Sequence, residues 1–214
     1  SSLEVGAELT RLFNELSGYA IEKKFNRLLV APRYLRKGLL KNIAFETAEA
    51  QAGRPAGIRL KMNALVDERI IDSLYRASQA GVNIDISVRG ICSLIPGVKG
   101  LSENIKVTSV LGRFLEHSRI FSFHHAGNQQ TYIGSSDMMH RNLDRRIEVL
   151  IRLTEPEHLN RMEKLFDLHM SENSAGWELQ ANGTWKRREG DDLQNIHEIL
   201  MNEYAERDSK GKAK

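Results

Sequence analysis

The sequence predicts an α/β domain: a mixed, mostly parallel sheet flanked by helices, with a C-terminal hairpin and helix. Three observations predict it. Strand-like and helix-like stretches alternate from residue 27 to residue 88, which is the signature of parallel strands joined by crossovers. Short β-like stretches then follow near residues 104–110, 118–123, 130–134 and 146–153. Beyond residue 174 the composition changes to turn formers and both tryptophans.

The elements can be justified in order. Val5, Leu9, Leu12, Phe13 and Leu16 fall at helical spacing over residues 4–18, and Gly18 suits the C-cap. A polar link, Glu22-Lys23-Lys24, separates this helix from a strand at about residues 27–30, ended by Pro32. A helix is expected from Tyr34 to Ala52, with Leu39, Leu40, Ile43 and Ala44 inward, stopped by Gly53 and Pro55. Residues 57–62 read as a strand and residues 67–80 as a helix that Asp67 opens. Gly81 turns the chain into residues 82–88, which alternate with period two. Pro156 starts a helix with Leu159, Met162, Leu165 and Phe166 on one face. Residues 174–188 read as a hairpin turning at Asn182-Gly183, and a last amphipathic helix is expected over residues 191–206. The expected domain organisation is a helix and linker at residues 1–26, belonging to whatever precedes the fragment, then the main domain at 27–206. A disordered basic tail is expected at 207–214. The opening Ser1-Ser2, with no methionine, reads as the start of an excised fragment.

The chain has 214 residues, enough for one ample core, and a formal net charge of +3 that names no partner by itself. Its apolar runs are strand-length, well short of the roughly 20 residues that span a bilayer, and no signal peptide opens it. The single cysteine, Cys92, excludes an internal disulfide framework and a cysteine-based zinc site. It reads as a small buried filler. The cytoplasm is the expected compartment, with peripheral association at the inner face of the cell membrane as a variant of it.

Ligands of open α/β sheets bind where the parallel strands end, and three such segments carry phosphate-compatible groups. They are Lys61-Met62-Asn63, the loop from Arg89-Gly90 to Pro96-Gly97, and Glu116-His117-Ser118-Arg119 followed by Gly134-Ser135-Ser136-Asp137 and Arg141, Arg145 and Arg146. His117 and Arg119 are two apart and share a strand face. An imidazole beside a guanidinium can meet a phosphoryl group, one as donor or acid, the other as a forked clamp. Gly134-Ser135-Ser136 offers small residues and hydroxyls to an anion. Arg119 could alternatively pair with Glu116 or Glu148, and Arg145 or Arg146 with Asp144 or Glu148. His124-His125, beside Ala126-Gly127, is expected at an exposed hairpin tip. His140, His158, His169 and His197 lack metal-ligand spacing, and Trp177 with Trp185 reads as hairpin packing.

The His-x-Arg step with a downstream Gly-Ser turn resembles the phospholipase D superfamily, whose step is His-x-Lys. Arg119 replaces that lysine, and His124 stands where the superfamily has an aspartate, which argues against a phospholipase or nuclease site. A narrower resemblance is carried by Leu60-Lys61-Met62-Asn63, Val88-Arg89-Gly90-Ile91-Cys92-Ser93, Gly100-Leu101-Ser102-Glu103-Asn104, Gly112 to Ile120, Tyr132 to Ser136 and Arg141 to Val149. On these the chain is similar to the C-terminal part of bacterial polyphosphate kinases, which are phospholipase D-like. The resemblance implies an ATP:polyphosphate phosphotransferase that moves the terminal phosphate of ATP reversibly onto inorganic polyphosphate. It implies Mg2+ and a phosphorylated histidine, both in the preceding catalytic domain, so that this fragment alone is inactive.

By the same resemblance Arg89 and His117 contact ATP phosphates, with His117 in a supporting role and not the phosphorylated histidine. Arg119, Lys61, Asn63, Ser135, Ser136 and Arg145 complete the expected ATP- and phosphate-binding set, and no metal ligand is expected in this fragment. The implied partners are ATP or ADP, polyphosphate, the preceding domain and further copies of the full enzyme, not nucleic acid. Two other classes use the same basic loops: a phospholipase D-type phosphodiesterase acting as a homodimer, and a non-catalytic polyanion-binding module.

Overall fold

The computed structural model describes residues 3–19 and 25–212, with side chains to Arg207. The Glu22-Lys23-Lys24 link and residues 213–214 lie outside them. In chain order the elements are α1 (Leu3–Leu16), β1 (Leu28–Val30), α2 (Leu35–Gln51), β2 (Gly57–Met62), α3 (Glu68–Gln79), β3 (Asn83–Val88), β4 (Ile105–Ser109) and β5 (Arg119–Phe123). A short 3-10 turn (His125–Gly127) leads to β6 (Gln130–Gly134), α4 (His140–Arg145), β7 (Val149–Leu153), α5 (Pro156–Met170), β8 (Trp177–Leu179), β9 (Trp185–Arg187) and α6 (Ile196–Lys212). No described helix is long and apolar enough to cross a membrane.

The strands form one nine-stranded sheet in the order β1-β7-β6-β5-β2-β3-β4-β8-β9. It is mixed, as expected, but not mostly parallel. Only β2–β3 and β3–β4 are parallel neighbours, and every other pairing between the named strands is antiparallel. Connection length fits the two parallel pairs and the β5–β6 pair. A parallel pair needs a crossover of a dozen or more residues, which α3 and the 89–104 loop supply. From β5 to β6 the chain turns back through the 3-10 turn, so those strands pair antiparallel. The first strand lies not beside β2 but at the far edge, where it pairs with β7.

Leu35, Leu39 and Ile43 of α2 and Ile70, Leu74 and Ala77 of α3 pack with Ile58, Leu60, Ile84, Ile86 and Phe121 in one buried cluster. Asp67 caps α3 by accepting from the Ile70 N–H at 3.0 Å. A smaller cluster joins Leu12 of α1 to Leu28 and Val30 of β1. The buried Glu8 carboxylate there accepts from the backbone N–H groups of Asn26, Arg27 and Leu28. Trp185 packs on the main core. The last helix starts later than residue 191 and continues to Lys212, so the segment expected to be disordered from 207 is helical over most of its length. His125 is half-buried, not an exposed tip residue: it stacks on Phe45 with centroids 4.0 Å apart, and its N–H donates to Glu46 at 2.7 Å.

Candidate functional site

Met62 lies opposite Val88 at the ends of the parallel pair, so Asn63 and Arg89 leave the sheet side by side. β5 runs antiparallel to β2, which brings its first residues, with His117 just before them, to the same edge. Gly134, at the end of β6, pairs with Arg119. These strand ends frame an open cleft of about 950 Å3 whose lining includes Asn63, Arg89, His117, Arg119, Arg141 and Arg146. Cα-level topology thus joins three segments that are far apart in sequence, as expected for ligands at strand ends.

Asp137 organises the floor. Its Oδ1 accepts from the Asn63 backbone N–H at 2.7 Å and from Arg119 Nε at 3.2 Å, and its Oδ2 from Arg119 Nη2 at 2.8 Å. Burial pushes its carboxyl upward, but Arg119 and the Asn63 N–H outweigh this and hold it below the usual carboxylate range. Asn63 then passes the order on, because its Oδ1 accepts from Arg89 Nε at 3.0 Å. Arg89 presents the rest of its guanidinium to the cleft, and among the described residues it makes no ion pair. The same is true of Arg141 and Arg146.

His117 is exposed and sits on the other wall. Arg119 Nη1 is 2.7 Å from its Nδ1 and donates also to its carbonyl oxygen at 2.8 Å. A guanidinium offers only donors, so Nδ1 accepts and the neutral ring carries its proton on Nε2. That assignment follows from the hydrogen-bond network. Among the described residues that Nε2 donor has no partner, which leaves it for a ligand.

Several expected contacts fall elsewhere. Lys61 is buried beneath the cleft, where its ammonium meets Glu116 at 2.7 Å and Ser118 Oγ at 2.8 Å. Its partners take the groups it would offer a phosphate. Ser136 is fully buried and donates to the Asp137 carbonyl at 3.0 Å. Ser135 borders the cleft, but its hydroxyl donates to Glu148. Gly134 is small for a reason other than anion approach: a Cβ there would lie 2.0 Å from the Val149 carbonyl oxygen. Arg145 ends α4 exposed, while Arg141 and Arg146 line the cleft. Arg119 pairs with Asp137 and not with Glu116 or Glu148, and Asp144 is taken by Arg36 and His140. Cys92 is half-buried, and burial pushes its thiol up to about 11, so it is an unreactive filler. Asp137 closes the Gly134-Ser135-Ser136-Asp137 run, but no signal in the sequence marks its organising role.

Among the described residues one group of acidic and histidine donors is close enough to share an ion: Asp67, Glu68 and His140. It does not fit magnesium, which favours oxygen ligands in octahedral geometry with several waters. Arg36 occupies Asp67 Oδ2 at 2.8 Å, Asp67 Oδ1 caps α3, and His140 Nε2 occupies Glu68 at 2.6 Å.

The family model described as polyphosphate kinase C-terminal domain 2 matches residues 28–198. The chain belongs to this family. A polyphosphate kinase of Streptomyces coelicolor is 53% identical over 205 residues, covering 94% of this chain and 28% of that protein. The crystal structure of polyphosphate kinase from Porphyromonas gingivalis superposes with a TM-score of 0.89 at 32% identity, covering 98% of this chain and 32% of that one. The chain thus spans less than a third of the length of these relatives. Nuc, a phospholipase D family member from Salmonella typhimurium, superposes with a TM-score of 0.52 at 12% identity, covering 72% of this chain and 97% of its own. That likeness concerns the fold alone, and it agrees with the phospholipase D-like architecture expected from the sequence.

Proposed function

We propose that this chain supplies the ATP- and polyphosphate-phosphate contacts of a polyphosphate kinase, which transfers the terminal phosphate of ATP reversibly to inorganic polyphosphate. The observation that carries the reading is the cleft itself. Arg89, Arg141 and Arg146 face it without ion-pair partners among the described residues, opposite the free Nε2 donor of His117. A phosphoryl group in transfer spreads charge over its oxygens, so donors positioned in advance act most strongly on the transition state. Arg89 offers a planar fork held by Asn63, and His117 is steadied by Arg119, which Asp137 anchors in turn. Within the set, Arg89 and His117 bind phosphate directly. Asn63, Asp137 and Arg119 position them.

The phosphorylated histidine and the magnesium ligands belong, on this reading, to the longer part of the relatives that this chain does not span. The working enzyme is cytoplasmic and assembles from more than one copy. The chain incubated alone with labelled ATP and magnesium should therefore acquire no acid-labile phosphate. In the full-length enzyme, His117→Gln, which keeps a donor, should recover part of the turnover that His117→Ala loses. Stoichiometric phosphorylation of a histidine in this chain, or unchanged turnover in His117→Ala, contradicts the assignment.

A further inference from the structure

Residues 110–118, between β4 and β5, form no helix or strand, and Leu111, Phe114 and Leu115 within them are exposed. His117 belongs to this segment, so its position depends on whatever tethers the segment to the body. One tether comes from the start of α6. His197 is buried at 4% exposure, and its Nδ1 accepts from the Phe114 backbone N–H at 3.1 Å. Accepting there requires a lone pair, so the neutral ring carries its proton on Nε2. That nitrogen donates to Glu116 Oε1 at 2.8 Å.

Glu116 Oε2 meets Lys61 Nζ at 2.7 Å, and the same ammonium donates to Ser118 Oγ at 2.8 Å. Both chain neighbours of His117 are thereby fastened to one buried cation, and Glu116 to His197 as well. Burial draws the Lys61 ammonium down, while its contact with Glu116 opposes the shift. Burial likewise pushes Glu116 up, but Lys61 prevails and keeps that carboxyl below its ordinary range. A buried ion pair of this kind adds little net stability and is better suited to fixing a position. The space at Gly112 agrees with the tether. A Cβ at that position would come 2.5 Å from His197 Nδ1, so the imidazole occupies room that glycine leaves.

We infer that His197, acting through Glu116 and alongside Lys61, is a positioning residue for His117. It fixes residues 112–118 so that the His117 imidazole meets a phosphate in one orientation. The C-terminal helix thus acts on a cleft that it does not line. The inference rests on the reading of His117 as a phosphate-binding residue.

The test is titration of inorganic tripolyphosphate into this chain, followed by calorimetry and by the His117 imidazole NMR signal, well below the melting temperature of each variant. His197→Ala and Gly112→Ala should each weaken tripolyphosphate about tenfold, because small misplacements of a binding group are costly, and should broaden the His117 signal. His197→Gln, which can still donate to Glu116, should recover most of the affinity. A purely structural role would lower the melting temperature and leave the affinity of the folded protein and the His117 signal unchanged, which would overturn the proposal. If His197→Ala does not fold, Gly112→Ala and His197→Gln decide the matter by the same two readouts. If the wild-type chain does not bind tripolyphosphate, yet the variants broaden a sharp His117 signal, the cleft reading fails and the tether stands.

Discussion

Two arginines on the same pair of parallel strands show what separates a structural cation from a ligand-binding one. Arg59, toward the start of β2, is shared among three carboxylates, Asp85 at 3.4 Å and Glu163 and Asp167 at 2.8 Å each. Arg89, just past the end of β3, has a neutral amide oxygen as its partner, Asn63 Oδ1. Both are long cations at the sheet, and composition treats them alike. The difference lies in what is already neutralised. One end of the sheet has its charge satisfied internally, while the cleft end keeps positive charge for an outside anion.

The change with the largest expected effect removes the carboxylate that orders the cleft. Asp137→Ala strands Arg119 and the Asn63 N–H together, so stability should fall by about 3 kcal/mol, measured by urea denaturation, with loss of tripolyphosphate binding. The Asp137 carboxyl is held below its ordinary value, so its stabilisation is present above about pH 4 and is lost as pH falls through the lowered folded value. The gap between the wild type and Asp137→Ala should narrow over that acid range. A gap independent of pH would mean that the carboxylate charge is not what matters.

Next in size is Arg89→Ala. It should cost about 1.5 to 3 kcal/mol of phosphate interaction, roughly tenfold to over a hundredfold in turnover of the full-length enzyme. Melting temperature should change little. Arg59→Ala should show the opposite pattern, reduced stability with tripolyphosphate affinity intact. Matching losses in both variants would erase the contrast between the two ends.

His169 sharpens the comparison from the interior. Burial, with Lys61 nearby, pushes it down to about 4 from an ordinary 6.5. The unfolded chain therefore binds a proton that the folded one refuses, and stability should fall as pH drops from 6.5 toward 4. The slope has an upper limit of about 1.4 kcal/mol per pH unit. His169→Gln should flatten that part of the stability-pH profile, and an unchanged slope would assign the dependence to other groups. The smallest effect belongs to Arg145→Ala. Arg145 is exposed at the end of α4 while its neighbours line the cleft, so turnover should change by less than about threefold, within the worth of a surface charge.

Much of this organisation was legible in the sequence, and the rest was hidden for physical reasons. The period-two run of β3 and the Asp67 cap of α3 are local signals, and the structure follows them. Sheet order is not local. Nothing near β1 shows that it pairs with β7 at the far edge, nor that β5, β6 and β7 fold back on one another. Helix α4 spans one turn and a half, too short for a periodicity to register. At the site, motif likeness found Arg89 and His117, and the cleft brings them together. It could not tell Lys61 from a ligand-facing lysine, because burial and the Glu116 contact arise only on folding. Asp137 stayed hidden for the same reason, since its partners Asn63 and Arg119 come from other strands.

The central claim is that phosphate is received between Arg89 and His117 and not at the satisfied end of the sheet. It is tested most directly by titrating tripolyphosphate into the labelled chain while following the arginine Nε and histidine ring signals by NMR. The account predicts that Arg89 and His117 shift together along one saturable binding curve while Arg59 stays still. Saturable binding that leaves Arg89 and His117 unmoved, or that moves Arg59 equally, would contradict it.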